Sequence, residues 1–417
     1  TARLREATRG PVSVFNPEGL GGLTSTFRWS PLVGCKAPSV AIERAGDLLA
    51  GVKVSNGVED RNFWESNAAK VLRCYLFAAA VSGRTMADVA DWAGDATDRT
   101  PFRILTNHPG TPPGWAEGLQ QIIEGPERTR GSVFMTLSLV FEFMADPALA
   151  QAVLPRPGEE TFSVGRFLKQ KGTLYLIAED RPYGSLAPLY TAFVSYLHRS
   201  AKVLAERQRG RLDPPLLLAL DEAPLICPVP LERWTSDGGG RGIPVVISVQ
   251  GRAWLDHRWG NSAARIIWNN ATSKLMFGGT TDEEHLGEVS RLCGERDEHV
   301  THPGRQGEPS STQVRRVPVL SYEALRTLGQ FEAVLLHRST RPVIVRIRPV
   351  WKRADVKRAN NAVVVTAPPR PRPAPIPREA PRRVPDEKLA PVVELDTERH
   401  RTKAGEGDQD EAEAAGE

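Results

Sequence analysis

Leu216-Leu-Leu-Ala-Leu220 runs straight into Asp221-Glu222, and about 24 residues further on Val245-Val-Ile-Ser-Val249 ends on Gln250. A short, unbroken apolar run is the mark of a strand covered on both faces, as in a parallel sheet. Such a strand presents whatever follows it at its C-terminal edge. Two adjacent carboxylates there, with an amide on the tip of the neighbouring strand, form a place where a metal shell, a water and an anionic group can meet. A strand ending in a solvated Asp-Glu turn is common by itself. The order strand, Asp-Glu, strand, Gln within one α/β layout is the more specific signal.

The chain around these runs alternates in the same way. Thr173–Ala178 reads as a strand, about 186–207 as a helix, about 262–269 as a helix, Lys274–Gly278 as a strand and 282–293 as a helix. Short apolar strands separated by helices predict a parallel sheet covered on both faces, with Ala333–His337 and Val343–Arg348 as edge strands. Ahead of them lies a strand, Val12–Phe15, closed by Asn16-Pro17. Ala41–Ala50, Trp64–Ser82, Met86–Ala93 and Gly131–Ala145 carry helical periodicity and predict a mostly helical insertion. Pro303–Ser311 reads as an exposed loop. From about Ala359 the chain no longer supports a fold. Residues 361–400 hold nine prolines and no aromatic, and 401–417 hold six acids against two bases. This predicts a Pro/Arg-rich linker followed by an acidic, disordered tail, serving solubility or partner docking.

The chain has 417 residues, 40% apolar and 25% charged, enough for one large or two medium domains with a buried core. That excludes a disulfide mini-protein, a collagen-like fibre and a chain disordered throughout. Net charge is +4, too small to argue for nucleic acid alone, and the tail's own −4 leaves +8 on the rest. Of the basic residues 43 are Arg and 11 Lys, which with 34 Pro suggests a GC-rich genome. Cys35, Cys74, Cys227 and Cys293 stand far apart, as buried thiols of a reducing compartment would. The longest apolar stretch, Val71 to Ser82, is interrupted by Arg73 and falls short of the ~18–20 residues of a membrane span. No signal peptide heads the sequence. The expectation is a soluble, cytoplasmic polypeptide.

A phosphate-gripping G-x-x-x-x-G-K-[ST] is absent from the 417 residues. Gly19-Leu-Gly-Gly22 and Gly238-Gly-Gly-Arg-Gly242 are glycine-rich but have no Lys to reach a phosphate. From Leu217 to Gly294, however, the order LLALDEA, RGIPVVISVQ, WG, IIWNN, KLMFGG, DEEHL, VSRLCG resembles the C-terminal half of the type IV coupling proteins. These are TraD/TraG-type ATPases of conjugation and type IV secretion, in the FtsK/HerA superfamily. Thr1-Ala-Arg-Leu-Arg5, Gly10–Pro17, Trp29-Ser-Pro-Leu32 and Phe63-Trp64 are similar to the segment that follows the family's P-loop. The resemblance spans roughly residues 1–353.

It implies an α/β, RecA-like P-loop NTPase-type fold with a mostly parallel sheet, an inserted all-α domain and a disordered C-terminal tail. The division it implies is 1–35 as the first part of a nucleotide-binding domain, 36–155 all-α, 156–353 the RecA-like remainder, and 354–417 linker and tail. Asp221 becomes the Walker B carboxylate that holds Mg²⁺ and the nucleotide, Glu222 the catalytic base and Gln250 the γ-phosphate sensor. Arg241 or Arg252 is the arginine finger acting in trans, or else a surface ion-pairing residue. Asn269 steadies a loop or touches nucleotide. The cofactors implied are ATP and Mg²⁺. The partners are DNA (a relaxase-bound strand or double-stranded DNA), relaxosome proteins, channel components and further copies in a homo-hexamer. The P-loop and membrane helices expected in the family would lie upstream of Thr1 or be lost, with membrane association depending on them. The implied function is a coupling ATPase that recruits and drives DNA to a membrane channel. The alternative is a non-catalytic docking module of the same machinery.

Lesser candidates remain. His299 and His302 form an H-x-x-H pair in a predicted loop without a third ligand. Trp254 and Trp259, interleaved with Arg252 and Arg258, suit stacking on single-stranded DNA or the edge of a core. Arg128, Arg130, Arg315 and Arg316 are candidate phosphate contacts.

Overall fold

The computed structural model describes residues 10–52, 61–156, 158–159, 161–302 and 311–358. The Thr1–Arg5 run, the 303–310 part of the predicted loop and the 361–417 linker and tail lie outside the described residues. Strand β1 (Val12–Phe15) leads into a helical stretch of α1 (Pro38–Ala50), α2 (Arg61–Ser82), α3 (Met86–Gly94), α4 (Thr100–Asn107), α5 (Trp115–Ile123), α6 (Glu127–Phe141) and α7 (Pro147–Ala150). Local chemistry sets several of these starts. Pro38 opens α1, where its missing N–H costs nothing. Thr85 and Asp88 form a reciprocal capping box on α3. The Asp146 side chain accepts from Ala148 N ahead of α7.

Then come α8 (Val164–Lys169), β2 (Thr173–Leu176), α9 (Ala187–Arg207), β3 (Leu218–Leu220), α10 (Ala223–Ile226), α11 (Leu231–Asp237), β4 (Val245–Ile247), α12 (Arg252–Asn270), β5 (Ser273–Phe277) and α13 (Glu283–Cys293). The chain closes with β6 (Glu295–His302), β7 (Ser311–Pro318), α14 (Tyr322–Arg326), β8 (Glu332–His337) and β9 (Val343–Arg346). Gly260, at φ 78° and ψ 157°, breaks α12 into two segments. The predicted helix at 262–269 is the second of them.

The strand pairings split in two. β1 runs parallel to β2, Val12 opposite Thr173 through Phe15 opposite Leu176. β3 runs parallel to β4, Leu218 opposite Val245 through Leu220 opposite Ile247. β5, β8 and β9 form an antiparallel sheet instead. The expectation that strand 274–278 continues a parallel sheet is corrected here, and the side chains explain why. Met276 is buried while Leu275 and Phe277 are half exposed, so β5 is covered on one face, the habit of antiparallel strands. β6 and β7 pair as a hairpin, Glu298 opposite Arg315 and Asp297 opposite Arg316. His299 therefore sits in a strand, not a loop.

One continuous core runs from β1 through the helices to α12. Its densest part is aromatic: Phe15, Phe27, Phe162 and Trp29 gather around Phe193 of α9 with ring centroids 4.8–5.8 Å apart. Buried Arg44 of α1 lies over Trp29 at 4.7 Å and Tyr196 at 5.1 Å. A second, smaller core joins α13 and α14 to the antiparallel sheet through Met276, Leu286, Val289, Cys293, Leu325 and Val334. All four cysteines are free and buried, as expected. Among the described residues no single helix is long and apolar enough to cross a membrane.

Candidate functional site

The site grows from the β3–β4 ladder. Leu216, Leu218, Leu220, Val245 and Ile247 pack on the core side. Leu217 and Val246 on the other side are 58% and 56% exposed. The pair is thus covered on one face, where the unbroken apolar run predicted cover on both. Beyond the ladder, Ser248 N donates to Leu220 O at 2.9 Å, keeping the two tips side by side.

β3 ends in a sharp turn. Glu222 takes the left-handed conformation, φ 48° and ψ 42°, which costs about 1 kcal/mol or more for a residue with a Cβ. Its carbonyl accepts from Leu225 N at 2.9 Å and Ile226 N at 3.2 Å, so α10 springs directly from it. This aims the half-buried Glu222 side chain across to β4, where Gln250 Nε2 donates to Glu222 Oε1 at 2.8 Å. Asp221 is exposed at the strand tip and makes no ion pair among the described residues. Two adjacent carboxylates at a strand tip suit Mg²⁺, a hard ion that takes one or two carboxylates and leaves other positions to water and phosphate. Among the described residues no group of three or more His, Cys, Asp or Glu side chains forms a closed metal cage.

The other candidates are placed as follows. Arg241 Nε donates to Asp237 Oδ2 at 3.0 Å, and its Nη1 lies 3.4 Å from Glu206 Oε1. Desolvation raises the Asp237 carboxyl, but Lys202 and Arg241 outweigh it and hold the group below its ordinary range. Arg252 is ion-paired with Glu288 of α13 and lies over the Trp268 ring. Arg258 donates to Val52 O at 3.1 Å and to Ala50 O, capping the C-terminus of α1. Trp259 Nε1 donates to Val229 O at 2.9 Å. Of the four residues read as a stacking set, only Trp254, 37% exposed, is left without such a bond.

Asn269 is exposed on a cleft of about 370 Å³ whose other walls include Lys274 and Arg338. Asn270 beside it donates to Thr235 and Ser236 of α11. The 238–242 glycine run is a packing turn: a β-carbon on Gly242 would stand 2.6 Å from Leu212 O. Arg130 donates to Ile123 O at 3.1 Å, and Arg316 lies 3.7 Å from Asp297.

Known proteins resemble the chain at two levels, one segment and the fold. Residues 215–330 match the family described as the TraM recognition site of TraD and TraG. The fold is that of the bacterial conjugative coupling protein TrwB. An unbound form of TrwB is 17% identical with a TM-score of 0.59, over 81% of this chain and 73% of that one. TrwB with the GTP analogue GDPNP is 18% identical, TM-score 0.60, over 81% and 74%. TrwB with ADP and Mg²⁺ is 19% identical, TM-score 0.59, over 81% and 73%. No curated protein matches the chain in sequence. Residues 215–330 are thus similar to the TraM recognition site of TraD and TraG, and the fold of the chain is similar to that of TrwB.

Proposed function

We propose that the chain is part of a conjugative coupling ATPase, and that the β3–β4 tips form the metal- and water-handling half of its nucleotide site. The observation that carries this reading is the bond between Gln250 and Glu222 beside a free Asp221. Asp221 would hold the Mg²⁺ that accompanies a nucleotide, an ion that would supply positive charge for phosphoryl transfer. Glu222 takes the proton of the attacking water. Gln250, bonded to Glu222, would sense the terminal phosphate and orient the water. These 417 residues contain no G-x-x-x-x-G-K-[ST], so phosphate gripping is not assigned to any of them.

Arg241 is the residue proposed to act on a neighbouring subunit's nucleotide in a hexamer; to do so it exchanges Asp237 and Glu206 for phosphate. DNA is the proposed cargo, relaxosome and channel proteins the proposed partners, and a membrane the proposed place of work.

The match of 215–330 to a TraM recognition site favours a second reading, a docking module without catalysis. One pair of measurements separates the two, made on protein expressed from its whole reading frame. The motor reading predicts Mg²⁺-dependent ATP turnover that Glu222→Gln abolishes, with capture of a relaxosome protein retained. Absence of Mg²⁺-dependent turnover in the wild type, with capture intact, decides for docking alone.

A further inference from the structure

We propose that Ser248 is a positioning residue of this site, holding the Asp221 carboxylate for the metal; the inference rests on Asp221 being the Mg²⁺ ligand. Leu220 stands opposite Ile247, and Ser248 N donates to Leu220 O at 2.9 Å, so the parallel register carries Asp221 opposite Ser248. Period-2 alternation then puts both side chains on one face. Leu217, Ala219 and Asp221 are exposed along β3, and Val246, Ser248 and Gln250 along β4, while Leu218 is buried on the opposite side.

Neighbouring strands lie about 4.8 Å apart, so a side-chain rotation that accompanies ion binding would close a hydroxyl–carboxylate bond directly across the ladder. The Ser248 hydroxyl has no partner among the described residues, and neither has Asp221. Serine is also a poor choice for the strand itself. It interrupts Val245-Val-Ile-Ser-Val249, a run of β-branched residues, and gives up strand propensity on an open face that Val246 occupies two residues earlier. A hydroxyl donating to one carboxylate oxygen leaves the other turned toward the ion. Such partners of ligating carboxylates fix ligand orientation, and losing them weakens metal binding roughly 10–100-fold.

The test uses protein from the whole reading frame, with Mn²⁺ and a non-hydrolysable ATP analogue as probes and Mn²⁺ electron paramagnetic resonance as readout. Ser248→Ala is expected to weaken Mn²⁺ binding about 10-fold at an unchanged thermal midpoint. Ser248→Thr, which restores the hydroxyl, is expected to bind as wild type, and Asp221→Asn to lose the site. Wild-type affinity in Ser248→Ala alongside loss in Asp221→Asn overturns the role of Ser248 and leaves Asp221 standing. Equal Mn²⁺ binding in Asp221→Asn and wild type, or none in the wild type, overturns the reading of Asp221 and the role of Ser248 with it.

Discussion

Gln250 Nε2 donates to Glu222 Oε1 at 2.8 Å, joining the tips of two parallel strands through side chains 28 positions apart. The amide holds Oε1 and leaves Oε2 of the carboxylate to accept a water proton. On the proposed reading, an anionic phosphate arriving at the strand edge would compete for the same N–H. Gln250→Ala removes the proposed sensing and water-orienting group while leaving Glu222 in place. Turnover should fall roughly 10²-fold with nucleotide affinity within a factor of three, measured by steady-state kinetics and fluorescent-nucleotide titration.

Acid should loosen the fold through His198. The ring lies flat on Trp234, centroids 3.9 Å apart, and burial, then Lys202, push its pKa down to about 4 against the pull of Asp237. Arg199 and Arg241 add to the depression. An unfolded histidine takes its proton near pH 6.5 and this one does not, so stability is full above 6.5 and falls toward 4, by roughly 3 kcal/mol in all. Asp88 and Asp237, both held low, act only below their ordinary value of 3.8. Urea midpoints between pH 7 and 4.5 should slope downward in wild type and less steeply in His198→Phe, which keeps the stack, the remaining slope coming from His285, whose pKa burial also lowers. An unchanged slope in the variant refutes the assignment.

Arg258 is a structural residue on this account. It satisfies the carbonyls of Ala50 and Val52 at the end of α1. Arg258→Ala should lower stability by about 1–2 kcal/mol and leave single-stranded DNA affinity within two-fold. Unaltered melting with weakened DNA binding would move Arg258 to the nucleic-acid surface.

The cysteines should be inert until the protein unfolds. Burial pushes the Cys35 thiol up to about 11 and Cys74 to about 12, and raises Cys227 further. A thiol reagent at pH 8 should label none of these three in native protein and all of them in denaturant. Fast labelling of native Cys227 would contradict its burial.

Strands β3 and β4 were legible because their apolar runs are short and their polar ends abrupt. The placing of Asp221, Glu222 and Gln250 at neighbouring strand ends could be read from order alone, and the Arg241–Asp237 pair sits at the i, i+4 spacing of a helix turn. The direction of β5 was not legible: Leu275 and Phe277 are apolar on the face that stays open, so its residues look alike for parallel and antiparallel pairing. The β6–β7 hairpin hid for the opposite reason. Glu295-Arg-Asp-Glu has no apolar alternation, and its complement Arg315-Arg316 becomes visible only once the register is known. Arg252 looked free for a neighbouring subunit because Glu288, 36 residues away, gives no sequence sign of facing it.

The most direct test of the site is the rate of ATP hydrolysis at saturating Mg²⁺-ATP, compared between wild type and Glu222→Gln expressed from the whole reading frame. Loss of the water-activating carboxylate should cut turnover by about 10²–10⁴-fold while nucleotide still binds. Wild-type turnover in Glu222→Gln would contradict the account, because the strand edge would then hold no catalytic base.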